Sequence, residues 1–101
     1  MNSGSFLKQS FSDNEYVEKY LIQLDRTVEN EQWDKSLVAY NRLYEAWSQV
    51  ERRVQYSVER EDVVNINHSI ARVKGCIRSE NLDNAMINLE ELNSYWKHLE
   101  Y

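Results

Sequence analysis

The sequence predicts an all-α protein: a four-helix bundle built from two αα-hairpins related by internal duplication. Proline is absent, and Gly4 and Gly75 are the only glycines. A multi-stranded fold would lack the turn residues it needs every few positions. Apolar residues instead recur at three- and four-residue spacing, the period of a helix with one buried face. A pattern of about thirty residues also occurs twice, 49 positions apart and without a gap. Val17, Leu21, Leu24 and Val28 answer to Ile66, Ile70, Val73 and Ile77, Leu43 to Leu92, and Trp47 to Trp96. Repetition of that length marks a helical hairpin used twice.

Residues 1–11 read as a linker or flexible N-terminus, with Phe6 and Leu7 available to extend the first helix backwards. A single helical domain follows over 12–101, hairpin 1 at about 12–59 and hairpin 2 at about 60–100. Ser12-Asp-Asn-Glu15 has the form of a capping box, with Phe11 and Tyr16 at the staple positions. Helix one runs through Val17, Tyr20, Leu21, Leu24 and Val28. Asn30 to Gln32 forms the turn, Asn30 being the residue type that tolerates a left-handed helix end. Asp34 then sits where the macrodipole of helix two favours an acid. Ser79-Glu80-Asn81 and Asp83 repeat this logic in the second copy.

Helix two carries Leu37, Tyr40, Leu43, Tyr44, Trp47, Val50 and Val54, and its apolar positions continue to Val58. Neither Pro nor Gly ends it. The expected break is Arg60-Glu61-Asp62, with Asp62 capping helix three; a nearly continuous helix two–three is the alternative. Helix three has Val63, Ile66, Ile70, Val73 and Ile77, and helix four Leu82, Met86, Leu89, Leu92, Tyr95, Trp96 and Leu99. Each hairpin has an apolar face it cannot bury alone, so the two share a core. Periodicity is equally compatible with a closed bundle and an open stack.

Composition narrows function mainly by exclusion. The 101 residues are 42% hydrophobic, with three Trp and seven Tyr, enough for one core. Net charge is −5; the densest bases, Arg52, Arg53 and Arg60, are interrupted by Glu51, Glu59 and Glu61. No basic face for nucleic acid results. No apolar run approaches the ~18 residues of a membrane span, and Met1-Asn-Ser-Gly-Ser5 has no signal-peptide character. Cys76 is alone, which excludes an internal disulfide, and it reads as a small packed thiol. His68 and His98 have no carboxylate or imidazole at helical ligand spacing, so no metal site is expected. Phosphate loops, nucleophile elbows and zinc signatures are missing. The expectation is a non-enzymatic protein with no catalytic residues and no cofactor.

The aromatics divide by the repeat. Trp47 and Trp96 occupy equivalent places and so share a packing role, as do Trp33 and Leu82. Tyr44 aligns with Asn93 and Tyr56 has no counterpart. These two tyrosines are the candidates for an exposed protein-binding surface.

Trp33-Asp-Lys-Ser-Leu37, a second tryptophan fourteen residues on at Trp47, Ser69-Ile-Ala-Arg-Val-Lys74 and the closing Leu-rich helix resemble the domain of unknown function 4363 over roughly residues 14 to 100. That resemblance implies a protein of spore-forming Firmicutes whose helical domain follows one N-terminal membrane span and lies outside the cytoplasm. It supplies no activity. The expected function is an interaction or scaffold domain, the extracytoplasmic part of a single-span membrane protein. Its partner would be another protein, a membrane protein included, or a second copy; contact with the membrane would come only through an anchor preceding residue 1. The alternative is a cytoplasmic tetratricopeptide-like adaptor that binds peptides. The hairpin length suits that motif, but the 49-residue offset is long for it.

Overall fold

The structure, a computed structural model, describes residues 13–54 and 60–99. Four helices account for nearly all of them: α1 (Asp13–Glu29), α2 (Trp33–Val54), α3 (Arg60–Arg78) and α4 (Leu82–Leu99). No strand occurs among the described residues. The expected capping hydroxyl of Ser12, the staple residue Phe11, the extension through Phe6 and Leu7, and the junction that decides whether helices two and three are continuous all lie outside them.

The two hairpin turns have the same hydrogen bonds. At the end of α1, the Glu31 N–H donates to the Val28 carbonyl at 2.9 Å and the Gln32 N–H to the Thr27 carbonyl at 2.8 Å. At the end of α3, Glu80 donates to Ile77 and Asn81 to Cys76, both at 3.0 Å. This pair of bonds is the Schellman ending, which needs a left-handed residue just past the helix. That residue is Glu31 (φ 55°) in one turn and Glu80 (φ 52°) in the other, not the asparagine expected at position 30. Asn30 is still tied to the helix, donating to the Arg26 carbonyl from both its backbone and its side chain. In the second copy the Asn81 side chain caps α4, its Oδ1 accepting from the Asn84 N–H at 3.1 Å. Asp62 does not cap α3: the helix is already formed at Arg60, and the Asp62 carboxylate instead meets His98 Nδ1 at 3.2 Å.

Packing follows the duplication closely. α1 packs on α2 and α3 on α4 within the hairpins; α1 on α4 and α2 on α3 join them. A shift of 49 residues exchanges the last two interfaces, so the hairpins are related by a pseudo-twofold axis and the bundle is closed. Trp47 and Trp96 pack edge to face, with centroids 6.3 Å apart and planes at 87°. That is the favoured geometry for two quadrupoles. Of the nine apolar core residues of hairpin 1, eight have their counterpart in the core of hairpin 2. Ala39 alone does not, since Asn88 stands at its equivalent. Leu37, expected inward, is exposed, because the buried stripe of α2 runs through Ser36, Ala39, Tyr40, Leu43, Trp47 and Val50.

The two interfaces between hairpins differ in one polar detail. Between α2 and α3, Trp47 Nε1 donates to Asn67 Oδ1 at 2.8 Å, and Asn67 Nδ2 donates to Glu51 Oε2 at 3.0 Å. At the dyad-related interface the counterpart of Asn67 is Glu18, which is exposed, and the Trp96 Nε1–H is buried without a partner among the described residues.

Candidate functional site

The interior offers little chemistry. Among the described residues its buried polar ones are Ser36 and Ser69, and the Ser36 hydroxyl is already committed to the Gln32 carbonyl at 3.0 Å. Among the described residues no group of three His, Cys, Asp or Glu is placed to hold a metal ion. His68 is exposed on α3, while His98 faces Asp62. Cys76 is half-buried against the core, with Asn88 Nδ2 3.6 Å from its sulfur. Burial first, then Glu29 and Glu90, raise the Asp25 carboxyl above its ordinary value. It faces the α1–α4 interface and lines none of the depressions described below.

The outer face of hairpin 1 is different. Two shallow depressions, of about 740 Å³ and 530 Å³, share Val38 and Arg42 and so run on into one another. From α1 they are lined by Tyr16, Tyr20, Gln23 and Thr27, spaced four, three and four apart as one helical edge must be. From α2 come Val38, Ala39, Arg42 and Ala46. The rings of Tyr16 and Tyr20 stack with centroids 6.3 Å apart. At the open end, the Arg53 side chain ties α2 to α1 through Asn14 Oδ1 at 3.0 Å and Asp13 at 3.9 Å.

The expected surface tyrosines fare unequally. Tyr44 is 52% exposed, lines the rim of the larger depression and stacks on Tyr40 at 6.4 Å. Tyr40 is itself buried, with Lys74 Nζ 5.9 Å from its ring centre, and burial followed by Tyr44 raises its phenol above the ordinary value. Tyr56 lies outside the described residues.

The same edge of hairpin 2 is closed by polar side chains. Arg72 Nε donates to Asn88 Oδ1 at 3.2 Å, and its guanidinium lies 3.7 Å from Glu91 Oε1. Asn88 Nδ2 also donates to the Asn84 carbonyl at 2.8 Å. The equivalents of Arg72, Asn88 and Glu91 in hairpin 1 are Gln23, Ala39 and Arg42. An alanine cannot bridge, and the basic residue has moved from one helix to the other without an acid opposite it. The Arg42 side chain consequently makes no hydrogen bond or ion pair among the described residues. Gln23, Ala39 and Arg42 are therefore the residues that periodicity alone missed. The signal that finds them is the comparison of the two copies position by position.

Fold and surface together define a duplicated αα-hairpin bundle in which, among the described residues, one outer face is bridged by polar side chains and the other is not. No helix of the described chain is long and apolar enough to cross a membrane. The sequence profile of the family described as Domain of unknown function (DUF4363) matches residues 6–101. The chain belongs to that family. No curated protein and no solved structure matches it.

Proposed function

We propose that this chain is a non-enzymatic interaction domain that docks a partner protein on the outer face of its first hairpin. The observation that carries this reading is the asymmetry of two otherwise equivalent faces. The α3–α4 face satisfies itself through Arg72, Asn88 and Glu91. The α1–α2 face leaves a continuous apolar and aromatic depression with an unpaired guanidinium on it. Val38 and Tyr44, both more than half exposed, widen the apolar area beyond isolated surface residues. Because the bundle is closed, docking takes place on this outer face.

Display of the domain outside the cytoplasm by an N-terminal anchor belongs to the same proposal and rests on the family resemblance alone. A topology reporter fused to the gene in its source cell tests it. Activity of a cytoplasm-only reporter would sink it.

Docking is tested by photo-crosslinking in the producing cell. A benzophenone amino acid placed at Val38 is expected to give one discrete adduct, identified by mass spectrometry. The same probe at the equivalent Ile87, 56% exposed, is expected to give none. Equal labelling from both positions, or none from Val38, would refute the docking face.

A further inference from the structure

Resting on that docking reading, we infer that the occupant of the α1–α2 face is an amphipathic helix of a partner protein, carrying a carboxylate that pairs with Arg42. Shape argues for a helix. The lining edge of α1 from Tyr16 to Thr27 spans eleven rises, roughly 17 Å, or about three turns of a helix laid alongside. Ala39 and Ala46, two turns apart on α2, keep the floor of the depression low, so that a third helix can settle its ridge between the two already present. A strand would find no free backbone edge, because the hairpin's backbone hydrogen bonds are internal to its helices.

Charge argues for an acid. The chain carries a net charge of −5, yet this face gathers Arg26, Lys35, Arg42 and Arg52. Their side chains make no ion pair among the described residues. Its acids are Glu45 and Asp13, and Asp13 is already beside Arg53. In hairpin 2 the position of Arg42 is Glu91, neutralised across the seam by Arg72. In hairpin 1 the opposing residue is Gln23, so no charge meets Arg42 from α1. A partner carboxylate over Arg42, flanked by apolar side chains on Val38 and the Tyr16–Tyr20 pair, would complete the bridge that hairpin 2 makes internally. An arginine beside aromatic rings is also a typical centre of binding energy at protein interfaces.

The test uses the purified full chain and a displayed library of helix-stapled peptides. Sequences enriched on the wild type are expected to carry Asp or Glu within one turn of a large apolar residue. Arg42→Ala should weaken the best of them about tenfold, and the loss should shrink at high salt, as a screened charge pair requires. Arg42→Glu should redirect enrichment to Lys- or Arg-bearing helices. Since the exposed Arg42 side chain makes no hydrogen bond or ion pair among the described residues, both variants should melt close to the wild type. Peptides that bind in competition with a Val38 spin label but show no acid preference would overturn the inference and leave the docking face standing. Peptides indifferent to Val38→Asp, or no enrichment at all, would overturn both. Arg42-dependent sedimentation with phosphatidylglycerol vesicles, or Arg42-dependent self-association of the chain without peptide, would assign the face to a membrane or to a second copy and would refute the partner helix.

Discussion

Replacing Glu31 or Glu80 by glycine should make the protein more stable. Both residues hold a left-handed conformation at a helix end. An L-residue pays about 1–2 kcal/mol there. The charge of each lies between the negative end of one macrodipole and the positive end of the next, so the two effects largely offset. Against the backbone cost stands the extra chain entropy of glycine, about 0.5–1 kcal/mol. The balance is a gain of about 1 kcal/mol per site, or roughly 4–8 °C in Tm for a domain of this size. The two turns lie at the same end of the bundle, where Glu31 and Glu80 border one shallow depression with Asp34 and Lys35. Either substitution therefore also relieves repulsion felt by the other, and the double variant should gain slightly less than the sum. Thermal and urea unfolding followed by circular dichroism measure all three. Glu31→Ala separates the causes, since it removes the charge but keeps the backbone cost. If Glu31→Gly is no more stable than Glu31→Ala, the left-handed residue carries no cost and the reasoning fails.

Other consequences are smaller and independent. Asn67→Ala strands the buried indole N–H of Trp47 and should cost about 1–3 kcal/mol in urea unfolding, whereas Glu18→Asn should offer Trp96 the partner it lacks and gain about 1 kcal/mol. Gln32 stands where Asn81 caps α4 but has no capping bond of its own; Gln32→Asn should add about 0.5–1 kcal/mol, measured the same way. Asp25 is raised above its ordinary 3.8 by burial, then by Glu29 and Glu90. Just above that pH the folded chain keeps a proton the unfolded chain has lost, so stability falls as pH rises through the window. Asp25→Asn should remove that fall, leaving the variant about 0.2–0.5 kcal/mol more stable at neutral pH and no different below the window, as read from melts across pH.

Much of this fold was legible because the core is periodic and duplicated. The spacing of Val17, Leu21, Leu24 and Val28 states a helix, its echo at Ile66 to Ile77 states a second, and the paired tryptophans state a shared core. Closure into a bundle was not legible, since an apolar stripe does not record whether α1 meets α4. The left-handed turn residue was misplaced by one position. Propensity ranks Asn above Glu for that conformation, but the Schellman hydrogen bonds count from the last helical turn and fall on whatever residue the chain supplies there. Leu37 was misplaced for a related reason. Apolar character ranks it above Ser36 for an inward place, yet Ser36 lies on the buried stripe and satisfies its hydroxyl against the preceding turn.

The candidate face was legible only in part, and the reason is physical. Exposed tyrosine is visible as a residue that breaks the repeat, and Tyr44 was found that way. A depression is a relation between two helices, fixed by what fails to cross it. Here the two hairpins differ at three matched positions: Asn88 against Ala39, where hairpin 1 has no bridge; Arg72 against Gln23, where it has no charge; and Glu91 against Arg42, where the charge is opposite. None touches the eight matched core pairs, and the differences at the exposed positions 23 and 42 are each worth no more than an exposed ion pair, about 0–1 kcal/mol. A duplicated core thus fixes the scaffold twice over and leaves the two outer faces free to differ. Conversely, introducing the bridge with Gln23→Arg, Ala39→Asn and Arg42→Glu together should close the first hairpin's face at a cost of about 1–3 kcal/mol, set by the larger side chain at the buried position 39. If that triple variant still gives the Val38 adduct, the open seam is not what the partner reads.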